Sequence, residues 1–364
     1  MGKDIHKKSF SEETLQKLQL YENYLTKWLP TFVARKNIVY GRINIFDFFC
    51  GPGHDSKNTP GSPIIALNVI SDFISYIDRD MVDINLYFND KDRKKIRELE
   101  IYIKTFDAAK HPKINITITV DNFEDAFKHY KKVMQQSKAA NLLFIDQNGI
   151  KHVTPNIFFE IVNIPTTDLL FFCSSSYLKR FKILQKMIGI DNERVNECPQ
   201  YQMHRLLKDH YLSLVPENRR YFLGEFSIKK LANVYGLIFG SGHILGLKKF
   251  VEACWEGFGG DANFDIDEDR INPDAPYLFA DMNKTKKLQF YERELKNNLD
   301  KKAFINTYEL FAFTLLNGFL PKHAKAVFES IVKERILPPQ KLTTGYKSWY
   351  PPNKSSPIKY HKNK

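Results

Sequence analysis

The chain has 364 residues, 43% of them hydrophobic and 26% charged, which is enough for one large folded domain plus a smaller one, or for two domains. Lys and Arg total 54 against 42 Asp and Glu, and the net charge of +12 favours a polyanionic partner. No apolar run reaches the roughly 20 residues of a membrane-spanning helix, and no apolar segment follows residues 1–8, so we expect a cytoplasmic protein without membrane contact. The four cysteines are widely separated, which argues against a zinc cluster or a disulfide framework.

Apolar segments alternate with helical patterns over the first 260 residues. Leucine and aromatic residues at helical spacing predict an amphipathic helix over residues 9–35, and residues 178–230 are predicted to be mainly helical. The predicted strands are Ile43–Phe49, Ile84–Phe88, Ile114–Val120, Asn141–Ile145, Leu169–Phe172 and Val234–Phe239. This alternation predicts an α/β fold, with a parallel Rossmann-like sheet covered by helices on both faces.

The last hundred residues have a different character. An acidic linker that contains Gly and Pro leads to an order of helix, turn, helix and short hairpin, which is typical of a small winged-helix-like domain. We therefore predict an N-terminal helical segment over 1–38, a Rossmann-like domain over 39–260, an acidic linker and helix over 261–300, and a winged-helix-like domain with a basic tail over 301–364.

Basic residues of this last segment are candidates for nucleic-acid contact. Pro321 is suited to the first position of a helix, and no Asp or Glu occurs from Arg335 to Lys364. The predicted contact residues, in the first turns of that helix and beside the predicted wing, are Lys322, His323, Lys325, Lys341 and Lys347. Either DNA or RNA would satisfy such contacts. A solvated tail, or a helical cap that binds a protein, is the alternative.

The segment Ile45-Phe46-Asp47-Phe48-Phe49-Cys50-Gly51-Pro52-Gly53 is the most specific motif of the chain. It indicates a buried strand that ends on an acid and then turns through two glycines, which lets backbone N–H groups approach a polar or anionic ligand. No third glycine follows at the dinucleotide spacing. The pattern therefore resembles the first motif of S-adenosylmethionine-dependent methyltransferases more closely than a dinucleotide fingerprint.

Acids recur at the ends of four predicted strands, where an open α/β sheet binds its ligands. In a methyltransferase interpretation Asp90, or Asn89 beside it, accepts from the ribose hydroxyls and Asp121 from the adenine amino group. Asp146 lies on the substrate side, where it could orient a nucleophilic amine and take its proton. The predicted cofactor-binding residues are Asp47, Cys50, Gly51, Gly53, Asn89, Asp90 and Asp121, and the predicted catalytic residues are Asp146 and Asn148. A helix N-cap is the alternative role for each acid taken singly.

Other sites find little support. Asp261, Asn263 and Asp265 imitate the start of a calcium loop, but Ile266 stands where that loop needs Gly, and we predict no metal site. No G-x-S-x-G motif occurs, and the order Cys198-Pro199 is the reverse of a Pro-Cys nucleophile motif.

Several motifs together resemble the three-Cys-motif partner family, a group of methyltransferase-like proteins encoded beside a cysteine-motif protein. The matching pieces are His6–Ser11, Phe46–Gly53, Gly61-Ser62-Pro63, Phe88–Asp92, Phe144–Gly149, Leu237–Ser241, Leu245-Gly246-Leu247 and Leu320–Ala324. The resemblance spans most of the chain and implies S-adenosylmethionine as cofactor and a protein partner. Members of that family carry Asp-Pro-Phe-Gly after the fourth strand, whereas this chain has Gln147-Asn148 in place of Pro-Phe.

Three functions stay open on the sequence alone. The first is a methyltransferase that acts on or with nucleic acid. The second is a non-catalytic adaptor that keeps the methyltransferase fold, because the Asp146–Gly149 segment departs from the family pattern. The third is a metal-dependent nucleotide hydrolase that uses the acids at the strand ends.

Overall fold

The computed structural model describes residues 9–35, 38–147, 150–173, 175–199, 202–230, 233–256 and 284–361. By its internal contacts the chain divides into two units, Met1–Ala262 and Asn263–Lys364. The helices of the first unit are α1 Glu12–Trp28, α2 Pro30–Val33, α3 Ser62–Ser71, α4 Ile74–Asp80, α5 Arg93–Ile103, α6 Phe123–Met134, α7 Pro155–Val162, α8 Ser175–Arg180, α9 Lys182–Ile188, α10 Asn192–Glu197, α11 Met203–Ser213 and α12 Ile244–Trp255. Those of the second unit are α13 Lys286–Asp300, α14 Thr307–Leu316, α15 Pro321–Lys333 and α16 Tyr346–Trp349.

The first unit is built on one seven-stranded sheet. Its strands are β1 Arg42–Asp47, β2 Asp83–Asn89, β3 Ile114–Thr119, β4 Ala139–Ile145, β5 Thr167–Cys173, β6 Phe222–Lys230 and β7 Asn233–Ser241. They lie in the order β3-β2-β1-β4-β5-β7-β6, with β7 antiparallel to both of its neighbours and the other pairs parallel. The predicted Rossmann-like α/β fold class is confirmed, whereas the antiparallel β7 corrects the expectation of a wholly parallel sheet.

The sequence prediction missed β6, which lies within the stretch predicted to be helical. The strand begins at Phe222 and forms the edge of the sheet, paired only with β7 in the described structure. Residues 222–228 are buried on both faces except for the half-buried Glu225, and Gly224, Glu225 and Ser227 interrupt the apolar run. The strand therefore shows neither a clean alternation nor the nearly continuous apolar run of β4, whose seven residues are all buried.

Helix α1 lies across one face of this sheet. Leu20, Tyr21, Tyr24 and Leu25 are fully buried, and the Tyr21 ring stacks on Phe144 of β4 with 4.3 Å between ring centroids. The helix also packs against α3 and α12. Its 17 residues span roughly 25 Å at 1.5 Å per residue, so α1 is long enough to run from the carboxyl ends of the parallel strands to their amino ends.

The second unit is helical in its described part. Tyr291 of α13 stacks on Phe319 with 4.1 Å between ring centroids, and its hydroxyl donates to Thr314 Oγ1 at 3.0 Å. The expected wing hairpin is not there, because Tyr346–Trp349 forms a helical turn and no strand occurs within 284–361. Trp349 is fully buried against Phe311, and aromatic residues at positions 346, 349 and 350 favour the helical turn over a strand alternation.

The basic tail is docked along its backbone up to residue 361. The Thr307 N–H donates to the Ser356 carbonyl at 2.9 Å, and the Ile358 N–H donates to the Ile305 carbonyl at 2.9 Å. The Lys359 N–H donates to Gln340 Oε1 at 2.9 Å. Within the part of the chain that is described, no helix is both long and apolar enough to cross a membrane.

Candidate functional site

The turn after β1 requires its glycines. Gly51 and Gly53 have φ angles of 62° and 84°, a region that side-chain-bearing residues rarely adopt. A Cβ on Gly53 would lie 2.6 Å from Leu99 Cδ1, and the Gly53 carbonyl accepts from the Gly61 N–H at 2.7 Å. A Cβ on Gly61 would in turn lie 3.1 Å from the Gly53 carbonyl carbon. The turn is therefore closed tightly on itself, and Gly51, Pro52 and Gly53 are buried.

Asp47 is the last residue of β1, and its side chain stabilises this turn through hydrogen bonds. Its carboxylate is 1% exposed, and it accepts from Ser62 Oγ at 2.6 Å and from the Phe49 N–H at 3.1 Å. Burial raises the pKa of Asp47 to about 7, against the lowering effect of these two hydrogen bonds, while the charges of Asp146 and Asp90 raise it further. Asp47 thus joins β1, the turn and the first residue of α3.

Asp90 connects the turn after β1 to the end of β2. The Gly51 N–H donates to Asp90 Oδ2 at 3.2 Å, and the Asp92 N–H donates to Asp90 Oδ1 at 2.9 Å. The residue is half-buried, so part of its carboxylate still faces solvent. Cys50 lies behind the same turn: its side chain is buried, its N–H donates to the Asn89 carbonyl at 3.0 Å, and burial raises the pKa of its thiol well above the ordinary value.

Asn89 is an internal clamp. Its Oδ1 accepts from Thr119 Oγ1 at 2.9 Å and from the Asp121 N–H at 3.0 Å, and its Nδ2 donates to the Asp121 carbonyl at 3.0 Å and to the Phe48 carbonyl at 3.3 Å. Asp121 is thereby fixed by its backbone, while its exposed carboxylate accepts no hydrogen bond from any residue in the described ranges. Of the pair Asn89 and Asp90, only Asp90 offers an accessible acceptor at the site.

Asp146, at the end of β4, forms an ion pair with Lys17 of α1. Lys17 Nζ lies 2.6 Å from Asp146 Oδ1 and 2.5 Å from Oδ2, and it also sits 4.4 Å from the ring centroid of Phe172. The side chains are 9% and 21% exposed, respectively. Both oxygens of the predicted base are therefore engaged by a residue of α1.

The residues after Asp146 pack inward. Gln147 is fully buried, and its Oε1 accepts from the His152 N–H at 2.8 Å. The His152 ring lies 5.2 Å from that of Phe49 and 5.3 Å from that of Phe123, and its Nδ1 is 3.1 Å from Glu124 Oε1. Burial lowers the pKa of His152, with Glu124 opposing the shift. The predicted catalytic residue Asn148 lies outside the described residues.

The structure thus brings Asp47, Asp90 and Asp146 close enough for their charges to interact. Sequence reasoning missed Lys17, although a signal for it existed. Lys17 is a lone basic residue in register with Tyr21, Tyr24 and Trp28 on the apolar face of α1. A cation at such a position needs a buried anion opposite it.

The predicted nucleic-acid residues of the second unit differ in character. Lys322, Lys341 and Lys347 are exposed and have no acidic partner among the described residues, whereas Lys325 lies 3.6 Å from Glu329. His323 Nδ1 accepts from the Leu320 N–H at 3.0 Å, and burial together with the Lys322 charge lowers the pKa of His323 to about 4. His323 is therefore a neutral cap of α15 near neutral pH, and its contact with nucleic acid stays a prediction that does not depend on a positive charge.

No group of three or more His, Cys, Asp or Glu side chains suited to a metal occurs in the described structure.

The sequence matches no protein-family profile and no curated protein. Similar solved structures include the O-methyltransferase TomG of Streptomyces achromogenes in complex with SAM, at 9% identity over 64% of this chain and 90% of that one, with a TM-score of 0.33. A geranyl diphosphate methyltransferase in complex with GPP and sinefungin has 9% identity over 59% and 75%, with a TM-score of 0.29. A SAM-dependent methyltransferase of Methanosarcina mazei has 11% identity over 56% and 92%, with a TM-score of 0.26. At such scores the assignment of the fold rests on the strand order.

The stability of the first unit should depend on pH through Asp47. The pKa of Asp47 is about 7 in the folded chain against an ordinary value of 3.8, so the folded state holds the proton more tightly. The resulting stabilisation is complete below about pH 4 and is lost as the pH rises to about 7. Asp47→Asn removes this titration. We expect the unfolding free energy of Asp47→Asn, relative to wild type, to rise by on the order of 4 kcal/mol between pH 4 and pH 8.

Urea unfolding at a series of pH values measures this difference. The exposed Asp72→Asn is the matched control. A difference between Asp47→Asn and wild type that stays flat across this range would show that Asp47 is ionised in the folded protein.

The Lys17–Asp146 pair should show strong coupling. Lys17→Met should lower the unfolding free energy by about 2 kcal/mol, because it leaves the partly buried Asp146 charge without its counter-ion. Adding Asp146→Asn should restore most of this loss, as a double-mutant cycle would show. Lys27→Met on the same helix is the control: its partner Glu256 is 58% exposed, so the loss should be under about 0.5 kcal/mol. Additive losses for Lys17→Met and Asp146→Asn would contradict the pairing.

Proposed function

We propose that the chain binds S-adenosylmethionine at the carboxyl edge of its sheet and is an S-adenosylmethionine-dependent methyltransferase. One observation carries this proposal: the Gly51–Gly53 turn and Asp90 are joined by a hydrogen bond at the ends of two adjacent strands, β1 and β2. A turn whose two glycines carry no side chain, next to the carboxylate of Asp90, suits a ligand that has both an amino-acid moiety and a ribose. The motif resemblance to the three-Cys-motif partner family supports the same assignment.

Each residue has a task in this proposal. The turn takes the amino-acid part of the cofactor, because its glycines permit close backbone approach. Asp90 accepts from the ribose hydroxyls, and Asp121, whose carboxylate is exposed, accepts from the adenine amino group. Asp47 and Asn89 do not touch the cofactor in this account but fix the loops that do. When bound, the cofactor supplies an electrophilic methyl group.

Asp146 and Lys17 lie on the substrate side. A substrate amine that approaches Asp146 competes with the Lys17 ammonium for the same two oxygens. In this proposal Asp146 orients the nucleophile and accepts its proton once Lys17 has been displaced, and Asn148 assists from the adjoining loop.

The adaptor remains the second candidate, and Gln147 is the observation that favours it. Its fully buried side chain ties the loop after β4 to the His152 backbone, where members of the resembled family have proline. In that case the chain keeps cofactor binding and works through the protein partner that the resemblance implies. Binding of S-adenosylmethionine without transfer to any nucleic-acid or protein substrate would favour the adaptor.

The proposed substrate or partner includes nucleic acid, bound through the second unit. The support is the net charge of +12 together with the exposed Lys322, Lys341 and Lys347, which lack acidic partners among the described residues. Phosphate contacts by such lysines are independent of sequence and depend steeply on salt.

Asp90→Ala should weaken S-adenosylmethionine binding by about tenfold to a hundredfold, because charge-assisted bonds to the ribose hydroxyls are lost. Calorimetric titration measures the dissociation constant, and far-ultraviolet circular dichroism confirms that the variant is folded. Asp107→Ala is the matched control, since that side chain is 99% exposed. An unchanged dissociation constant in folded Asp90→Ala would remove Asp90 from the cofactor site.

The combined variant Lys322→Gln/Lys341→Gln/Lys347→Gln should weaken nucleic-acid binding and lower the slope of log affinity against log salt by about 2–3, one counterion for each lost phosphate contact. Fluorescence anisotropy with short labelled DNA and RNA strands at several salt concentrations measures this. Lys94→Gln/Lys128→Gln/Lys132→Gln, from exposed positions of the first unit, is the control of equal charge. Equal losses in both variants, or no binding by the wild type at low salt, would refute the assignment to the second unit.

A further inference from the structure

A cavity of about 450 Å³ lies at the amino-terminal ends of the parallel strands, opposite the carboxyl ends that carry the site above. It is found where β5 and β6 begin and where β7 ends, since Asp168 pairs with Ser241 and Phe222 pairs with Ser241. Because β7 runs antiparallel, it is the one strand of the described sheet whose carboxyl end reaches this edge. The helix that follows, α12, therefore directs its N-terminus into this region and not toward the Gly51–Gly53 turn.

The wall of the cavity is cationic. Arg35, Arg219, Arg220 and Lys249 line it and come from three separate segments of the chain. Lys249 Nζ lies 3.3 Å from Glu252 Oε2, and Arg219 Nε donates to Asn163 Oδ1 at 3.1 Å, so Arg35 and Arg220 are the cations on which the anion site depends. The pKa of His243 is lowered by burial and then by the charges of Arg35 and Arg220, so both guanidinium groups converge on the start of α12. The partial positive charge of the N-terminus of a 12-residue helix adds to theirs.

One acid lines the same cavity. Asp168 Oδ2 accepts from the Tyr24 hydroxyl at 2.7 Å, and burial raises the pKa of Asp168 to about 6, with Ser241, Tyr24 and Trp28 opposing the shift. The half-buried Asp168 is therefore still mostly ionised near pH 7 and offsets part of the positive charge of the wall.

A buried hydroxyl at the wall lacks a hydrogen-bond partner. Tyr221 lines the cavity and is 8% exposed, and its OH finds no partner among the described residues. An unsatisfied buried hydroxyl costs free energy, and native structures seldom tolerate one unless a ligand or water completes it. The oxygen itself is shielded from the cavity, so the ring of Tyr221, and not its hydroxyl, forms part of the wall.

The remaining wall is apolar and aromatic. The Trp28 and Phe32 ring centroids lie 4.8 Å apart, and Phe32 meets Tyr40 edge-on at 5.4 Å. Val162 and Ile164 continue this surface. The cavity therefore has a cationic end and an aromatic end, and its volume lies in the range of small-molecule sites.

We propose that this cavity binds a phosphate monoester that also contains a planar ring, and that a mononucleotide has the size that fits. The phosphate lies between Arg35, Arg220 and the N-terminus of α12, as anions do at helix N-termini. The ring lies against Phe32 and Tyr40. This site is separate from the proposed cofactor site and does not depend on it.

Calorimetric titration of the full chain with AMP tests the proposal, with adenosine as the ligand that lacks the phosphate. We expect AMP to bind at one site and adenosine to bind at least about tenfold more weakly. Arg35→Ala/Arg220→Ala should weaken AMP binding by about tenfold or more, while Arg97→Ala, from an exposed position on α5, should leave it unchanged.

Three outcomes would overturn the proposal. They are no heat with AMP at millimolar concentration in low salt, equal affinity for AMP and adenosine, and unchanged AMP binding in folded Arg35→Ala/Arg220→Ala. If the double arginine variant still binds AMP, the affinity of Asp90→Ala for AMP shows whether that binding occurs at the carboxyl ends of the strands. If Asp90→Ala alone abolishes AMP binding, AMP occupies the carboxyl edge and the cavity is not its site.

Discussion

A buried carboxylate at the end of the central strand is the constraint on which the carboxyl edge of this protein depends. Asp47 accepts from Ser62 and from the Phe49 N–H, so one group joins the strand, the glycine turn and the start of α3. Its burial raises its pKa to about 7, and the nearby Asp146 and Asp90 raise it further. Near pH 7 Asp47 is therefore only partly ionised and Asp146 is paired with Lys17, so the half-buried Asp90 is the carboxylate beside the glycine turn that is left for a ligand.

Helix α1 links the two edges of the sheet. At one end Lys17 neutralises Asp146, and further along the helix Tyr24 donates to Asp168. One amphipathic helix thus contributes to the substrate side of the proposed methyltransferase site and to the wall of the basic cavity. The reversal of β7 explains why the second cavity exists at all, since it places a helix N-terminus at an edge where parallel strands only begin.

Local sequence signals predicted the parts of the structure that are locally determined. Buried strands such as β4 read as continuous apolar runs, and the positive φ angles of Gly51 and Gly53 follow from a turn that only glycine fits. The edge strand β6 was missed because its alternation is weak. The wing was expected as a hairpin, although Trp349 draws its segment into a buried helical turn.

Long-range pairing was beyond the reach of the sequence. Lys17 and Asp146 are 129 positions apart: the place of Lys17 on the apolar face of α1 indicates that it needs a buried anion, but not which acid supplies it. Asn89 and Asp90 are adjacent polar residues, yet in the structure the Asn89 side chain is buried whereas Asp90 is only half-buried. His323 was predicted from the sequence as a nucleic-acid contact. In the structure its ring caps α15, and it is neutral near pH 7 because burial lowers its pKa to about 4.

Calorimetric titration of the full chain with S-adenosylmethionine tests the central claim most directly. The account predicts a saturable heat from one site at the carboxyl edge, accompanied by a rise in the thermal midpoint, because a ligand that binds only the folded state stabilises it. No heat and no shift of the midpoint at millimolar S-adenosylmethionine would contradict the account.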